Sequence, residues 1–516
     1  MRMFIGFRFI GVFVAPLLLF SLTCRFALGI EPERDGDWIR DFEEHSGVTT
    51  LTMQLELHPR AEPVPALAYR LVPDDFDRRD GNAALFYLKA MGFFEQSNSQ
   101  AALLELSKKA AAKAEELNID IDQVAPHVWL TTPPGELPRD EVKEYLRLTS
   151  FQPPFLVEAT RCRDFQLDRN IRSVEHPVGY LLPEIQSFRQ MARTQSIRCR
   201  LAITEGRIED AISILGQQFA MANHLGNDDF IISALVAAAI ESIAWVDALY
   251  LAQHTEAPNL YWAYAALPSP LVPLERAYSY ERQFLYEQLK VLREVGLSPK
   301  PAAYWQDFID RLSPQMQGLD FGTGLDFSFT PGIDRANMVA FVAAAYPGAK
   351  RYLLEDLQLE PELVESYPTA QVVFIAMARF YDRQRDEHFK WRYLTHAQCN
   401  QSEQFSQLDT RFKERADRLG LASLPTTEFL PAIAAVRNVH SRVQLTVAML
   451  QTVEAIRDYA ASHGGDLPRT LADLVLPAPL DPFTGAPIAY EFNGDTAVLS
   501  ARDSNLRYRL ILRTAE

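Results

Sequence analysis

Near the C-terminus, apolar residues recur at every third or fourth position between Ile433 and Ala460. This spacing places them on one stripe of a single helix, predicted over residues 429–463 and about 50 Å long. Gly464 and Gly465 follow, and glycine readily adopts the left-handed backbone that ends a helix. The stripe consists of Ile433, Val436, Val439, Val443, Val447, Leu450, Val453, Ile456 and Ala460.

Three strands are predicted after this helix. Residues 488–492 and 496–500 flank Asn493-Gly494, a dipeptide that favours a tight hairpin turn. Between residues 506 and 512, apolar side chains alternate with arginines, which is the period of a strand with one buried face. The C-terminal region is therefore predicted to be an α+β module in which the long helix lies on a small antiparallel sheet.

This module resembles the pseudopilins of type II secretion, chiefly the major one, over about 80 of the 516 residues. Asp481-Pro482-Phe483 opens a stretch similar to the family's Asp-Pro-aromatic-x-Gly-x-Pro-x-x-Tyr pattern. The resemblance implies the fold of the module. It does not imply filament assembly or calcium binding, because no prepilin cleavage site precedes the helix and residues 500–504 do not match the family's calcium loop. The similar segments are residues 455–459, 463–468, 471–475 and 480–490.

The whole chain is predicted to be mainly α, an irregular α-helical array with a short N-terminal β segment and the C-terminal α+β module. The predicted parts are a signal peptide (1–29), an extended or β segment (30–80), an α-helical domain (81–426) and the module (427–516). The arrangement resembles exported bacterial proteins of unknown function, in which a helical region precedes such a tail. We expect residues 427–516 to fold when expressed alone.

In the N-terminal β segment, apolar and polar residues alternate from Leu51 to Leu57 and again from Leu67 to Leu71. Prolines at positions 59, 63 and 65 separate the two runs. This pattern predicts a short hairpin or two extended arms packed on helices.

Within the helical domain, residues 99–117 have high helix propensity and residues 183–226 read as a helix–turn–helix. Residues 230–252 are the most apolar interior stretch, but Glu241 and Asp247 interrupt it. Two carboxylates are costly in a membrane span, so a buried core helix is predicted, with the two acids on different faces. Further helices are expected at 271–295, 335–346, 350–358, 369–397 and 402–419.

The N-terminus indicates export. Arg2 and Arg8 precede an uncharged run from Phe9 to Cys24, and Ala27-Leu28-Gly29 supplies small residues for cleavage after Gly29. The mature protein is then periplasmic or extracellular, with no membrane span after signal removal. The alternative is an uncleaved N-terminal anchor. The residues before Cys24 do not match a lipobox, which disfavours a lipoprotein.

The charge of the chain restricts its partners. The net charge is −16, and removing Arg2, Arg8 and Arg25 with the signal makes it −19 (−16 minus 3). Such a field repels nucleic acid and anionic lipid headgroups. A chain this acidic can attract cations or basic partners, or the charge can simply keep the protein soluble. A protein partner in the cell envelope is expected, and no nucleic acid.

Three cysteines remain after cleavage, namely Cys162, Cys199 and Cys399. An odd number leaves at least one thiol unpaired or paired between chains. Cys162 and Cys199 can form a disulfide if neighbouring helices carry them, or all three can act as small buried apolar residues.

Two other segments contain residues suited to ligand binding. Residues 313–334 contain Asp320, Asp326 and Asp334 in a Gly-rich stretch, read either as a binding loop or as an irregular loop pinned by Phe321, Phe327 and Phe329. His388, His396 and Cys399 form the best cluster for zinc, but this spacing is not one that zinc sites use, and a packed amphipathic helix explains it.

Two hypotheses follow for the function. The first is a non-enzymatic envelope protein acting as an interaction or structural module, because no catalytic motif appears. The alternative is an exported hydrolase-like enzyme with its site in a helical cleft near residues 313–334. The sequence assigns no catalytic, cofactor-binding or metal-binding residue.

Overall fold

The computed structural model describes residues 33–43, 48–92, 98–174, 177, 182–316, 331–501 and 505–513. The chain is mainly α-helical, as its sequence predicts. The predicted signal peptide, residues 1–29, lies outside the described residues.

The helices of the described residues vary from single turns to a long helix near the C-terminus. In chain order they are α1 (Ala83–Ala90), α2 (Asn98–Leu117), α3 (Arg139–Leu148), α4 (Gln152–Thr160), α5 (Pro183–Thr204), α6 (Ile208–Gly226), α7 (Ile231–Ala252), α8 (Tyr261–Ala265), α9 (Glu275–Gln288), α10 (Ala302–Gln315), α11 (Pro331–Glu355), α12 (Pro361–Glu365), α13 (Thr369–Phe389), α14 (His396–Asn400), α15 (Glu403–Ser406), α16 (Leu408–Leu419), α17 (Leu424–Phe429) and α18 (Pro431–Ser462).

The strands form one large sheet and one small one. They are β1 (Glu33–Asp35), β2 (Trp38–Glu43), β3 (Val48–Leu57), β4 (Arg79–Asn82), β5 (Cys162–Asp164), β6 (Ala489–Phe492), β7 (Thr496–Ala501) and β8 (Leu506–Leu512). The large sheet has six strands in the order β1-β2-β3-β8-β7-β6, and β4 pairs with β5 alone.

The large sheet joins the N-terminal segment and the tail, which the sequence predicts to be separate parts. Strand β3 from the N-terminal segment pairs in parallel with β8 from the tail, from Leu51 opposite Leu506 to Leu57 opposite Leu512. The hairpin predicted around Asn493-Gly494 is present as β6 and β7, and β8 is the predicted third strand. The antiparallel sheet of the tail is therefore extended by a parallel strand and by the antiparallel pair β1 and β2 beyond it.

The second alternating run of the N-terminal segment is not a strand. Residues 64–72 form turns and irregular backbone, although Leu71 and Val72 are buried. The Leu71 carbonyl instead packs against α6, where a Cβ at Gly216 would come within 2.0 Å of its oxygen. Glycine at position 216 therefore allows this irregular segment to lie directly on a helix.

One face of the large sheet packs on α7 and α18. Alternate residues of the two central strands are fully or almost fully buried, namely Met53, Leu55 and Leu57 of β3 with Leu506, Tyr508 and Leu510 of β8. They share one hydrophobic core with α5, α6, α7 and α18. The predicted long helix, 429–463, corresponds to α18, and the predicted helix–turn–helix corresponds to α5 and α6, which turn at Gly206 with φ of +70°.

A second hydrophobic core lies among α10, α11, α13 and α16. The helical region predicted as one domain, 81–426, thus contributes to two separate cores. The two helices expected at 335–346 and 350–358 are one helix, α11, which continues through Pro347.

Both ends of the segment 313–334, predicted as a loop, are helical. Residues 313–315 belong to α10, and residues 331–334, including Asp334, belong to the start of α11. Residues 317–330, which include Asp320 and Asp326, lie outside the described residues, and so does any cleft that they would cover.

Candidate functional site

The two acids predicted on different faces of the apolar helix do point to different helices. Asp247 on α7 is completely buried and accepts hydrogen bonds from Arg200 and Ser196 of α5, both at 2.9 Å. Burial raises the pKa of the Asp247 carboxyl, and the Arg200 guanidinium acts in the opposite direction. Asp247 is therefore one half of an internal ion pair that holds α5 to α7.

Glu241 contacts α18 instead. It is completely buried, and the Thr446 hydroxyl donates to its Oε1 at 2.8 Å. Its Oε2 has no hydrogen-bond partner among the described residues. Burial raises the pKa of Glu241 to about 8, so the carboxyl is mostly neutral at pH 7.

The residues considered for zinc each bind a partner of their own. His388 Nδ1 lies 2.7 Å from the Gln384 carbonyl oxygen, and His396 Nδ1 lies 2.7 Å from the Ser441 hydroxyl. The Cys399 thiol donates to the Trp391 carbonyl at 3.6 Å. Across the described part of the chain, no three His, Cys, Asp or Glu side chains are grouped so that they could hold a metal ion.

The three cysteines are free thiols in buried positions. Cys162 donates to the Glu158 carbonyl at 3.4 Å, and Cys199 donates to the Ala211 carbonyl at 3.7 Å. Burial raises the pKa of the Cys199 thiol well above its ordinary value, which keeps it protonated and unreactive. Cys162 and Cys199 do not form the disulfide considered as an alternative.

An ion pair in the C-terminal part of α18 was not predicted. Arg457 is completely buried and contacts both carboxylate oxygens of Glu454, at 3.0 and 2.8 Å. Burial raises the pKa of Glu454, and Arg457 acts to lower it. The sequence contained a signal for this pair, because Arg457 is spaced three and four residues from Ala460 and Val453 and so lies on the apolar stripe.

This ion pair links three distant segments. Arg457 donates to the carbonyl oxygens of His58 at 3.1 Å and Ala257 at 2.9 Å. In return, the Arg60 amide donates to the Arg457 carbonyl at 3.0 Å. Asn259 donates its side-chain amide to the Arg60 carbonyl at 3.0 Å, which completes the connection between the N-terminal segment, the loop after α7 and α18.

Two other buried polar clusters hold segments together. Arg169 bonds Glu184 on α5, with Nε 2.8 Å from Oε1, and also bonds Asp228. His224 lies between Tyr87 and the Cys162 carbonyl, at 2.9 and 3.1 Å. Because a carbonyl only accepts, His224 Nε2 donates to it and Nδ1 accepts from the Tyr87 hydroxyl. Burial lowers the pKa of His224 to about 4, so the ring is neutral.

The side of the large sheet that faces away from α7 and α18 is open in the described residues. We call it the outer face and define it by Gln54 and Glu56 of β3, Val498 of β7, and Arg507 and Arg509 of β8. The side chains of Gln54, Arg507 and Arg509 are exposed, whereas their neighbours along the strands are buried on the opposite face.

Strand register fixes the arrangement of the outer face. Arg509 lies opposite Gln54 on one side and Val498 on the other. Arg507 and Arg509 form no ion pair with any residue that the structure describes. Glu56 is the nearest strand acid in the register, and Arg513 neutralises it with an ion pair of 2.9 Å. Glu491 of β6 is exposed in the same row as Arg509, beyond Val498. The centre of the outer face therefore carries two arginines that have no ion pair among the described residues, with an exposed acid two strands away.

Comparison with family models, with curated proteins and with solved structures gives no match to this chain. Among the described residues, α7 is long and apolar enough to cross a membrane, and 67% of its most apolar window is buried inside the protein.

Proposed function

We propose that this chain is an exported, non-enzymatic protein of the cell envelope that binds an acidic partner protein through the outer face of its large sheet. The exposed Arg507 and Arg509, which have no ion pair within the described ranges, carry this proposal, because they lie on an otherwise acidic chain with a net charge of −16. Selective attraction of an acidic surface needs a local positive site when the whole molecule is negative.

The shape of the outer face supports a protein partner. A strand face presents side chains at regular intervals on a rigid backbone, and here the arginines alternate with buried Leu506, Tyr508 and Leu510. Their positions are thus fixed by the core below. Arginine is favoured at interfaces because its planar guanidinium forms two hydrogen bonds with one carboxylate.

The buried ionisable groups support a structural rather than a catalytic use. Arg457 binds Glu454, Arg200 binds Asp247, and each pair joins helices or segments inside the core. A group held in this way is shielded from any substrate.

The tail supports the envelope assignment through its likeness to pseudopilins, which remains an expectation from residues 455–490. The N-terminal segment, with its predicted signal, supports export. In this proposal the sheet that joins the two ends of the chain is the docking module, and the two helical cores provide its rigid support.

The proposal is tested with the mature protein as bait on envelope extracts, compared with an Arg507→Glu/Arg509→Glu variant. We expect an acidic protein to be retained by the native chain at low salt, with at least tenfold weaker retention by the variant. The control variant, Arg139→Glu/Arg147→Glu, makes the same charge change at exposed positions of α3. Equal loss in both variants, or retention that does not fall with salt, contradicts the proposal.

A further inference from the structure

A polar groove, which we call the α5 groove, runs along the first half of α5 on a side of the helix that faces away from the core. Its volume is about 330 Å³, and small-molecule sites in proteins have volumes of about 300–1,000 Å³. Every described residue that lines it is polar. These residues are Gln186, Ser187, Arg189, Gln190 and Arg193.

The sequence of α5 aligns the groove residues. The two arginines and two glutamines recur at spacings of three and four, which places them along one side of a helix. Ile185, Phe188 and Met191 lie on another side, where each is at most 2% exposed. All three belong to the core that α5 shares with the large sheet. Their packing therefore fixes the helix face on which the groove residues lie.

The side chains of the α5 groove have no protein partner. None of the five forms a hydrogen bond or an ion pair with a residue in the described ranges. Arg189 and Arg193 are nevertheless half-buried. Burial lowers the pKa of Arg189, and the neighbouring charge of Arg193 acts in the same direction. The two guanidinium groups thus repel each other where they are partly removed from water, and an anion bound between them relieves both costs.

The charges that act on the two arginines limit the charge of such an anion. Asp122, in a short 3-10 turn at Ile121–Gln123, is the acid whose charge acts on Arg189. His127 is near Arg193, and burial together with the charge of Arg193 lowers the pKa of His127, so its ring is neutral at pH 7. Two arginines against one aspartate leave a local charge of +1, by simple count.

We infer that the α5 groove binds a small hydroxylated carboxylate, namely a sugar acid. Its single negative charge matches the local charge of +1, and its carboxylate accepts hydrogen bonds from the guanidinium groups of Arg189 and Arg193. Gln186, Gln190 and Ser187 can each donate and accept, which suits the hydroxyl groups of a sugar. The groove includes no residue of the outer face, so this inference does not depend on the proposed function.

The inference is tested by calorimetric titration of the mature protein with glucuronate at constant ionic strength, and in parallel with glucose and with acetate. We expect saturable binding of glucuronate at least tenfold tighter than that of either other compound, because glucose lacks the charge and acetate lacks the hydroxyl groups. Arg189→Gln should weaken glucuronate binding at least tenfold, as loss of a hydrogen bond to a charged group implies. The control Arg139→Gln removes the same charge at an exposed position of α3 and should bind glucuronate as the native protein does.

The methyl glycoside of glucuronate distinguishes two sources of this ligand. Binding as tight as that of glucuronate identifies the terminal sugar acid of a longer chain, and binding at least tenfold weaker identifies the free sugar acid. The inference is overturned if glucuronate does not bind, or if glucose or acetate binds as tightly. Retained affinity in Arg189→Gln, or an equal loss in Arg139→Gln, would also overturn it.

Discussion

Leu55 of β3 lies directly opposite Leu510 of β8 in parallel register, and both side chains are completely buried. This pair connects the first described part of the chain with the last. Since β8 lies between β3 and β7, removing either end of the chain leaves a central strand without one neighbour. The sheet, and with it the outer face, therefore depends on both ends.

The C-terminal fragment 427–516 should not fold cooperatively on its own, contrary to the expectation from its sequence. Without β3, the backbone of β8 is unpaired along one edge, and Arg457 loses its contact with the His58 carbonyl. Urea unfolding followed by circular dichroism should give a broad transition for the fragment. A matched fragment with residues 33–62 linked ahead of it should be more stable, and a sharp transition for 427–516 alone would refute the dependence.

Replacing Arg457 by Met should lower the free energy of unfolding by about 3–5 kcal/mol, because Glu454 is left as a buried carboxylate without its partner. Adding Glu454→Gln should recover part of this loss, because the remaining buried group is then neutral. Urea unfolding monitored by tryptophan fluorescence measures both changes. Arg411→Met, at an exposed position, is the control, and a similar cost for both Met variants would contradict the role of the buried pair.

Glu241 should make the native protein less stable as the pH rises from about 4.5 to about 8. Its pKa is raised in the folded protein, so the stability present below the unfolded value is lost as the pH approaches the folded value. Glu241→Gln removes this loss, and the difference in unfolding free energy between variant and native should grow by on the order of 2–4 kcal/mol across that interval. Unfolding curves at several pH values measure it. The control Glu414→Gln, at an exposed position, should leave the pH dependence unchanged, and a constant difference for Glu241→Gln would contradict the assignment.

Most local structure could be predicted from periodicity in the sequence. The stripe from Ile433 to Ala460 predicted α18, and alternation predicted β3 and β8. The strand prediction at 67–71 was wrong because a run that short, next to prolines, also fits a turn segment with Leu71 packed on α6. Alternation shows which side of a strand is buried but not which strand lies beside it, so the pairing of β3 with β8 had to come from the structure.

The polar interior was predictable only in part. An α-helix turns by about 100° per residue, so Glu241 and Asp247 were predicted on different faces of α7. They do contact different helices. The carbonyl partners of Arg457 come from residues 58 and 257, which nothing in the local sequence connects to α18. The outer face was also missed, because exposed arginines in a strand pattern give no indication of whether another layer covers them.

The most direct test of the proposed function is photo-cross-linking in the native cells from a photoreactive residue at Gln54, which is exposed beside Arg509 on the outer face. The account predicts a discrete adduct with an acidic protein, lost when Arg507 and Arg509 are replaced by Glu. A photoreactive residue at Ala343, exposed on α11, should not give the same adduct. The same adduct from both positions, or an adduct at Gln54 that survives the charge reversal, would contradict the proposal.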